Sequence, residues 1–166
     1  MSASARKQWD EVVASAKALR HDLHRAPELT WAEYDTARRV RAELDALGVV
    51  WRECAGTGTV AHLAVGAPGR HIALRGDLDA MPIQEETEVP WASGSPGAMH
   101  ACGHDGHTAV LVATATWLAA HEDELPGPVT LLFQPAEEGG HGAREMIAQG
   151  ALAGAEPGPG RPVDVV

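Results

Sequence analysis

Apolar residues recur at three- and four-residue steps near the start of the chain. Trp9, Val12, Val13, Ala16, Leu19 and Leu23 fall on one stripe between Ser4 and Arg25, the spacing that lines one face of an α-helix. Pro27 cannot continue that helix. Thr30-Trp31-Ala32-Glu33 comes next and predicts a capping box, with Thr30 as N-cap and Glu33 reaching back from the third helical position. The helix it opens carries Val40, Leu44 and Leu47 on one face and stops at Gly48.

Beyond Gly48 the period shortens. Val49 to Glu53, Thr59 to Val65 and His71 to Arg75 read as short strands, with Ala55-Gly56-Thr57-Gly58 and Gly66-Ala67-Pro68-Gly69 as turns. Met81 to Ala98 holds Pro82, Pro90 and Pro96 and predicts a loop. Thr108 to His121 is apolar and Ala-rich, which predicts a buried helix with Asp105 as its N-cap. Val129 to Gln134 predicts a buried strand, and Ala143 to Gln149 a helix closed by Gly150. The order is helix, helix, strands, helix, strand, helix, with no internal repeat. That order predicts an α/β fold, a mixed and partly parallel sheet flanked by helices. Ala153 to Pro162 is a Gly/Pro-rich loop, and Val163-Asp164-Val165-Val166 looks like the start of a strand. A domain seldom ends by beginning a strand, so residues 1–166 are expected to be the front part of a longer domain.

The bulk numbers narrow the function classes. The chain has 166 residues, 45% of them hydrophobic and 22% charged, the profile of one globular domain with a core. A net charge of −10 argues against nucleic acid, whose phosphates want a basic face, and against anionic membranes. Two cysteines, Cys54 and Cys102, make no disulfide framework. The polar N-terminus lacks the apolar core of a secretory signal. No apolar run approaches the roughly 20 residues of a membrane span. The cytoplasm is the expected location.

Three segments carry chemistry. In His100-Ala101-Cys102-Gly103-His104-Asp105-Gly106-His107, three histidines and a cysteine crowd into eight residues. Imidazole and thiolate together suit zinc and related transition metals. Cys102 and His104 are two apart, so on extended backbone both side chains face one way. In Gln134-Pro135-Ala136-Glu137-Glu138-Gly139-Gly140, two carboxylates follow directly on an apolar strand, and functional groups of α/β sheets gather at strand carboxyl ends. One carboxylate can hold a metal while its neighbour takes a proton. Asp77-Leu78-Asp79 also follows an apolar strand, where a carboxylate can orient a metal-bound histidine. His21, His24, His62, His71 and His121 read as surface or packing residues, and Cys54 as structural. His141 follows a double glycine at the edge of the expected cleft and is given no role.

Several long stretches, in order from about Leu19 to Leu152, resemble the dinuclear metallo-amidohydrolases. That group includes hippurate hydrolase, N-acyl-amino-acid amidohydrolases and the plant hydrolases of auxin–amino acid conjugates. The stretches are Arg20 to Leu29, Leu74 to Glu85, Met99 to Thr108, Phe133 to Glu138 and Gly142 to Ile147. The resemblance implies metal-dependent hydrolysis of an N-acyl amino acid or a similar small amide. It implies two divalent transition-metal ions in the complete family, zinc or manganese first, with cobalt or nickel as alternatives. By the same resemblance Cys102, His104 and Glu138 are metal ligands, Glu137 is the general base and Asp79 orients the site. His107 lies in the motif without being a ligand.

The family's chains continue further, with another histidine ligand, a lid or dimerisation domain and a final histidine near the C-terminus. Residues 1–166 are therefore expected to be the N-terminal part of the catalytic domain, impaired or inactive alone, and a homodimer only in fuller form. The alternatives are a non-catalytic metal-binding fragment and one half of a split enzyme. A related metallopeptidase acting on dipeptides is a rival within the class.

Overall fold

The computed structural model describes residues 2–166. Helix α1 runs over Ala3–Arg25, capped by Ser2, whose hydroxyl accepts from Ala5 N at 3.1 Å. Its buried positions Val12, Leu19 and Leu23 are the apolar stripe. Helix α2 (Tyr34–Ala46) buries Thr36, Ala37, Val40 and Leu44. Strands β1 (Val50–Glu53), β2 (Thr59–Leu63) and β3 (Ile72–Asp77) follow, then helix α3 (His104–Ala119), strand β4 (Val129–Gln134) and helix α4 (Gly142–Ala148).

The four strands form one sheet in the order β1-β2-β4-β3. The β1–β2 and β2–β4 pairs are antiparallel and the β3–β4 pair is parallel. This is the mixed, partly parallel sheet expected. Every residue of β2 and β4 is buried, because helices cover both sheet faces and leave no room for polar alternation. Ala61, Leu63, Leu131 and Phe133 join the core under α1, α2 and α3. Val60, Ala73 and Leu132 pack with Met146 of α4 on the other face. Val165 bridges to Ile72 in parallel, so Val163–Val166 lies along the outer edge of β3 as the pattern implies.

Two expectations fail. Thr30 does not cap α2. The helix starts later, at Tyr34, because Trp31 takes a left-handed φ of 64° that no helix accommodates. The first helical amides are served instead by Glu28, whose carboxylate accepts from Asp35 N and Thr36 N at 3.0 and 2.8 Å. Nor is Asp105 an N-cap. The cap of α3 is Gly103 at φ 83°, and α3 begins at His104, four residues before the expected start. Asp105 lies inside the first turn, its side chain taken by His24 and Arg20. Strand ends also shift: β3 reaches Asp77 rather than Arg75, while β2 stops at Leu63 because Ala64 turns left-handed.

Parallel pairing places Asp77 opposite Gln134, so β3 and β4 end side by side on one edge of the sheet. The segments that leave them, Leu78–Asp79 and Pro135–Glu138, meet the N-terminus of α3 there. That edge collects the three chemistry-bearing segments.

Candidate metal centre

The Glu137–Glu138 turn is held from below. After β4, Ala136 takes a left-handed φ of 50° and three successive amides point into the protein. Ala136 N donates to Glu33 Oε1 at 2.8 Å. Glu137 N and Glu138 N donate to the two oxygens of Asp79, each at 2.9 Å. The Thr30 hydroxyl donates to Asp79 Oδ2 at 2.9 Å. Burial on its own would raise the Asp79 carboxyl. Hydrogen bonds from His104, the two amides and Thr30 outweigh it and hold Asp79 down at about 2.

His104 is buried, and its Nδ1 donates to the Asp79 carbonyl at 2.8 Å. That bond fixes the tautomer and leaves Nε2 facing outward. Nε2 lies 3.7 Å from Glu137 Oε2 and 3.8 Å from Glu138 Oε1, too far for a hydrogen bond. Burial lowers His104, but the Asp79 hydrogen bond and the Asp77 charge win and lift it to about 9. The exposed Cys102 thiol is pushed up to about 11, above all by the neighbouring Glu138 carboxylate, with Glu137 and Asp77 adding to it. The pocket therefore holds surplus negative charge. A protonated His104 offsets part of it, and the neutral thiol adds none.

Cys102, His104 and Glu138 each offer one donor atom within 4.8 Å of the other two. Glu138 Oε1 is buried and has no hydrogen-bond partner among the described residues. Buried carboxylate oxygens without partners are costly. A sulfur, a nitrogen and an oxygen donor around such an atom, amid excess negative charge, fit a divalent transition metal. A second group, Asp77, His104 and His107, meets the same distance limit. Its carboxylate is already committed: Asp77 Oδ2 pairs with Arg75 at 2.6 Å and Asp77 Oδ1 accepts from His107 Nδ1 at 2.7 Å. The group containing Glu138 fits better.

The four residues expected to carry the chemistry thus stand together, with Asp79 beneath them. Glu137 is the most accessible of the acids, its side chain 41% exposed. His141 precedes α4 at φ 58° and makes no side-chain cap. Other supporting residues were not foreseen. His24, expected to be a packing residue, is buried with its ring nitrogens 2.7 Å from Asp105 Oδ2 and 3.3 Å from Glu85 Oε1. It braces the first turn of α3 beside His104. His100 is buried with neither ring nitrogen hydrogen-bonded, and burial pulls it down to about 4. Glu33 reads in the sequence only as part of a capping box.

A model of peptidase family M20/M25/M40 matches residues 73–165. IAA-amino acid hydrolase ILR1-like 6 of Arabidopsis thaliana is 48% identical over 141 residues, covering 84% of this chain and 30% of that protein. N-acetyl-L-cysteine deacetylase of Bacillus subtilis (strain 168) is 46% identical over 137 residues, covering 82% and 33%. Among solved structures, the Bacillus subtilis YXEP protein is described as a dinuclear metal binding peptidase from the M20 family. It superposes with a TM-score of 0.82 at 40% identity, over 86% of this chain and 41% of that one. The chain spans about a third of the length of the curated relatives it matches.

Proposed function

This chain belongs to peptidase family M20/M25/M40, and from that footing we propose that it serves metal-dependent hydrolysis of the amide bond in N-acyl amino acids or related small amides. The observation that carries the proposal is the unpartnered, buried Glu138 oxygen beside Cys102 and His104, with the accessible Glu137 next to it. Cys102, His104 and Glu138 are the residues to hold a divalent ion, zinc or manganese before cobalt or nickel. When bound, such ions acidify water and stabilise the charge that develops on an amide oxygen.

The chain's own residues do the rest. Glu137 accepts the proton of the attacking water and delivers it to the departing amine nitrogen. Asp79 holds the amides of Glu137 and Glu138, so both carboxylates keep their aim as the proton moves. The His104 Nδ1–H bond to the Asp79 carbonyl keeps Nε2 free as a donor atom. An IAA-amino acid and an N-acetyl-L-cysteine share a secondary amide next to a carboxylate, which supports that group as the recognised unit.

Residues 1–166 would then be the N-terminal part of the catalytic domain, with a lid and further histidine ligands supplied from beyond them, and with dimerisation a property of the fuller protein. A second reading rests on the coverage of the relatives: these residues bind metal without turnover, or act as one half of a complementing pair. No helix among the described residues is long and apolar enough to cross a membrane.

Elemental analysis and an assay with N-acetyl amino acids, on the chain and on its Cys102→Ala and Glu137→Gln variants, decide among these. Hydrolysis abolished by Glu137→Gln with metal retained supports the enzyme. One ion per chain, lost in Cys102→Ala, without turnover supports the second reading. No metal uptake by residues 1–166 sinks the metal-binding fragment and removes Cys102, His104 and Glu138 as a site sufficient on their own.

A further inference from the structure

Glu33 is fully buried; it stands at the N-cap position of α2, but its side chain makes no capping bond and is not part of the donor set. Its Oε1 accepts from Trp31 N at 3.0 Å and from Ala136 N at 2.8 Å. Its Oε2 accepts from the Thr57 hydroxyl at 2.6 Å. Trp31 and Ala136 are both non-glycine residues in the left-handed region, at φ 64° and 50°. One carboxylate oxygen thus fixes two disfavoured backbone conformations 105 positions apart, and such conformations persist only where their surroundings over-determine them. Ala136 immediately precedes Glu137 and Glu138. The same loop is moulded on the far side of the turn: a Cβ on Gly140 would lie 2.5 Å from Thr30 Cγ2 and 2.8 Å from Trp31 Nε1.

We infer that Glu33 is a positioning residue for the Glu137–Glu138 pair. It acts by hydrogen-bonding the left-handed Ala136 amide, from which both carboxylates take their direction. The inference rests on those two carboxylates being the reactive pair. Asp79 receives the next two amides, so two buried carboxylates between them hold three consecutive N–H groups. Without Glu33, the Ala136 amide loses the bond that favours its positive φ, and the turn is held only by Asp79 and the contacts on its far side.

The variants Glu33→Gln and Glu33→Ala separate this role from bulk packing. Glutamine can keep its oxygen on the two amides while its NH2 donates to Thr57, whose hydroxyl rotates to accept. Alanine loses all three bonds. Amide hydrogen exchange on the metal-free chain is the first readout. E33A should speed exchange at Ala136, Glu137 and Glu138 by about tenfold and leave Val60 and Leu131 unchanged, whereas E33Q stays within about twofold throughout. Co²⁺ titration, followed by the thiolate-to-cobalt absorption of Cys102, is the second. Its affinity should fall about 10- to 100-fold in E33A and stay near wild type in E33Q.

Unchanged exchange at the turn in a folded E33A, or a rise spread equally over the sheet, overturns the inference. If E33A does not fold, Thr57→Val carries the test, since it frees only Oε2: exchange at Ala136 should rise roughly threefold, and no rise counts against Glu33. Failure of the wild-type chain to bind Co²⁺ would remove the metal assignment above, while the exchange pattern would still decide the role of Glu33.

Discussion

At the carboxyl ends of β3 and β4, His104 is buried among Asp77, Asp79, Glu137 and Glu138. At the opposite ends of the same strands, His62 is buried with its Nδ1 2.9 Å from the Thr130 hydroxyl, which also meets His71 Nε2 at 2.7 Å. Both imidazoles are about equally hidden from water, at 4% and 5% exposure. Yet His104 is lifted to about 9 and His62 falls to about 4. Burial disfavours the charged ring in both places. At His62, His71 and Arg52 add to that effect. At His104 the acids reverse it. A buried histidine is therefore no sign of a site by itself; the supply of carboxylate around it makes a place for a cation.

If acid supply is what matters, His104→Ala should cost the most. Divalent-metal affinity measured by calorimetry should fall by more than about 100-fold, beyond the usual cost of losing a supporting bond, while His62→Ala leaves it unchanged. Equal losses would mean that both ends take metal.

The pH dependence of stability comes next. The unfolded chain protonates His62 near its ordinary 6.5, the folded chain only near 4. Between those values the unfolded state binds the extra proton. Its contribution is therefore complete above about pH 6.5 and is lost as pH falls toward 4, on the order of 2 to 3 kcal/mol in all. Denaturant titrations from pH 4 to 7 should show this slope in the wild type and a flatter one in His62→Gln.

Asp79→Asn comes third. Its NH2 would replace one carboxylate oxygen and face either the Glu137 amide or the Glu138 amide with the Thr30 hydroxyl, donors in both cases, and metal affinity should drop about 10- to 100-fold. Retention of full affinity would show that the turn holds itself. Smallest is Thr130→Val, which strips the hydroxyl shared by two rings. It should lower stability by about 1 to 2 kcal/mol without touching metal binding.

Much of this was legible in the sequence. The apolar stripe of α1, the strand β4 and the cluster around Cys102 and His104 are local patterns, and local patterns survive folding. Glu137, Glu138 and Asp79 were legible because they follow apolar strands directly, and β3 and β4 pair in parallel. What escaped notice has its partner far along the chain. Thr30 and Glu33 match a capping box in spacing, but Glu33 is drawn away by Ala136 and Thr57, and Thr30 by Asp79. Asp105 has the right residue type for a cap. Gly103, free to take φ 83°, starts the helix before Asp105 is reached. His24 gave no signal at all, because its partners Asp105 and Glu85 lie 81 and 61 positions away.

Those separations also bear on the order of events during folding. Ala136 reaches Glu33 across 103 positions, Glu138 reaches Asp79 across 59, and Thr30 reaches Asp79 across 49. Closing loops of that length costs chain entropy, and contacts so distant are slow to form. The turn cannot be fixed until β4 has docked between β2 and β3. On this topology the Glu137–Glu138 turn is expected to form after the core. A divalent cation bound by the finished turn would then slow the escape from the native state far more than it hastens arrival there.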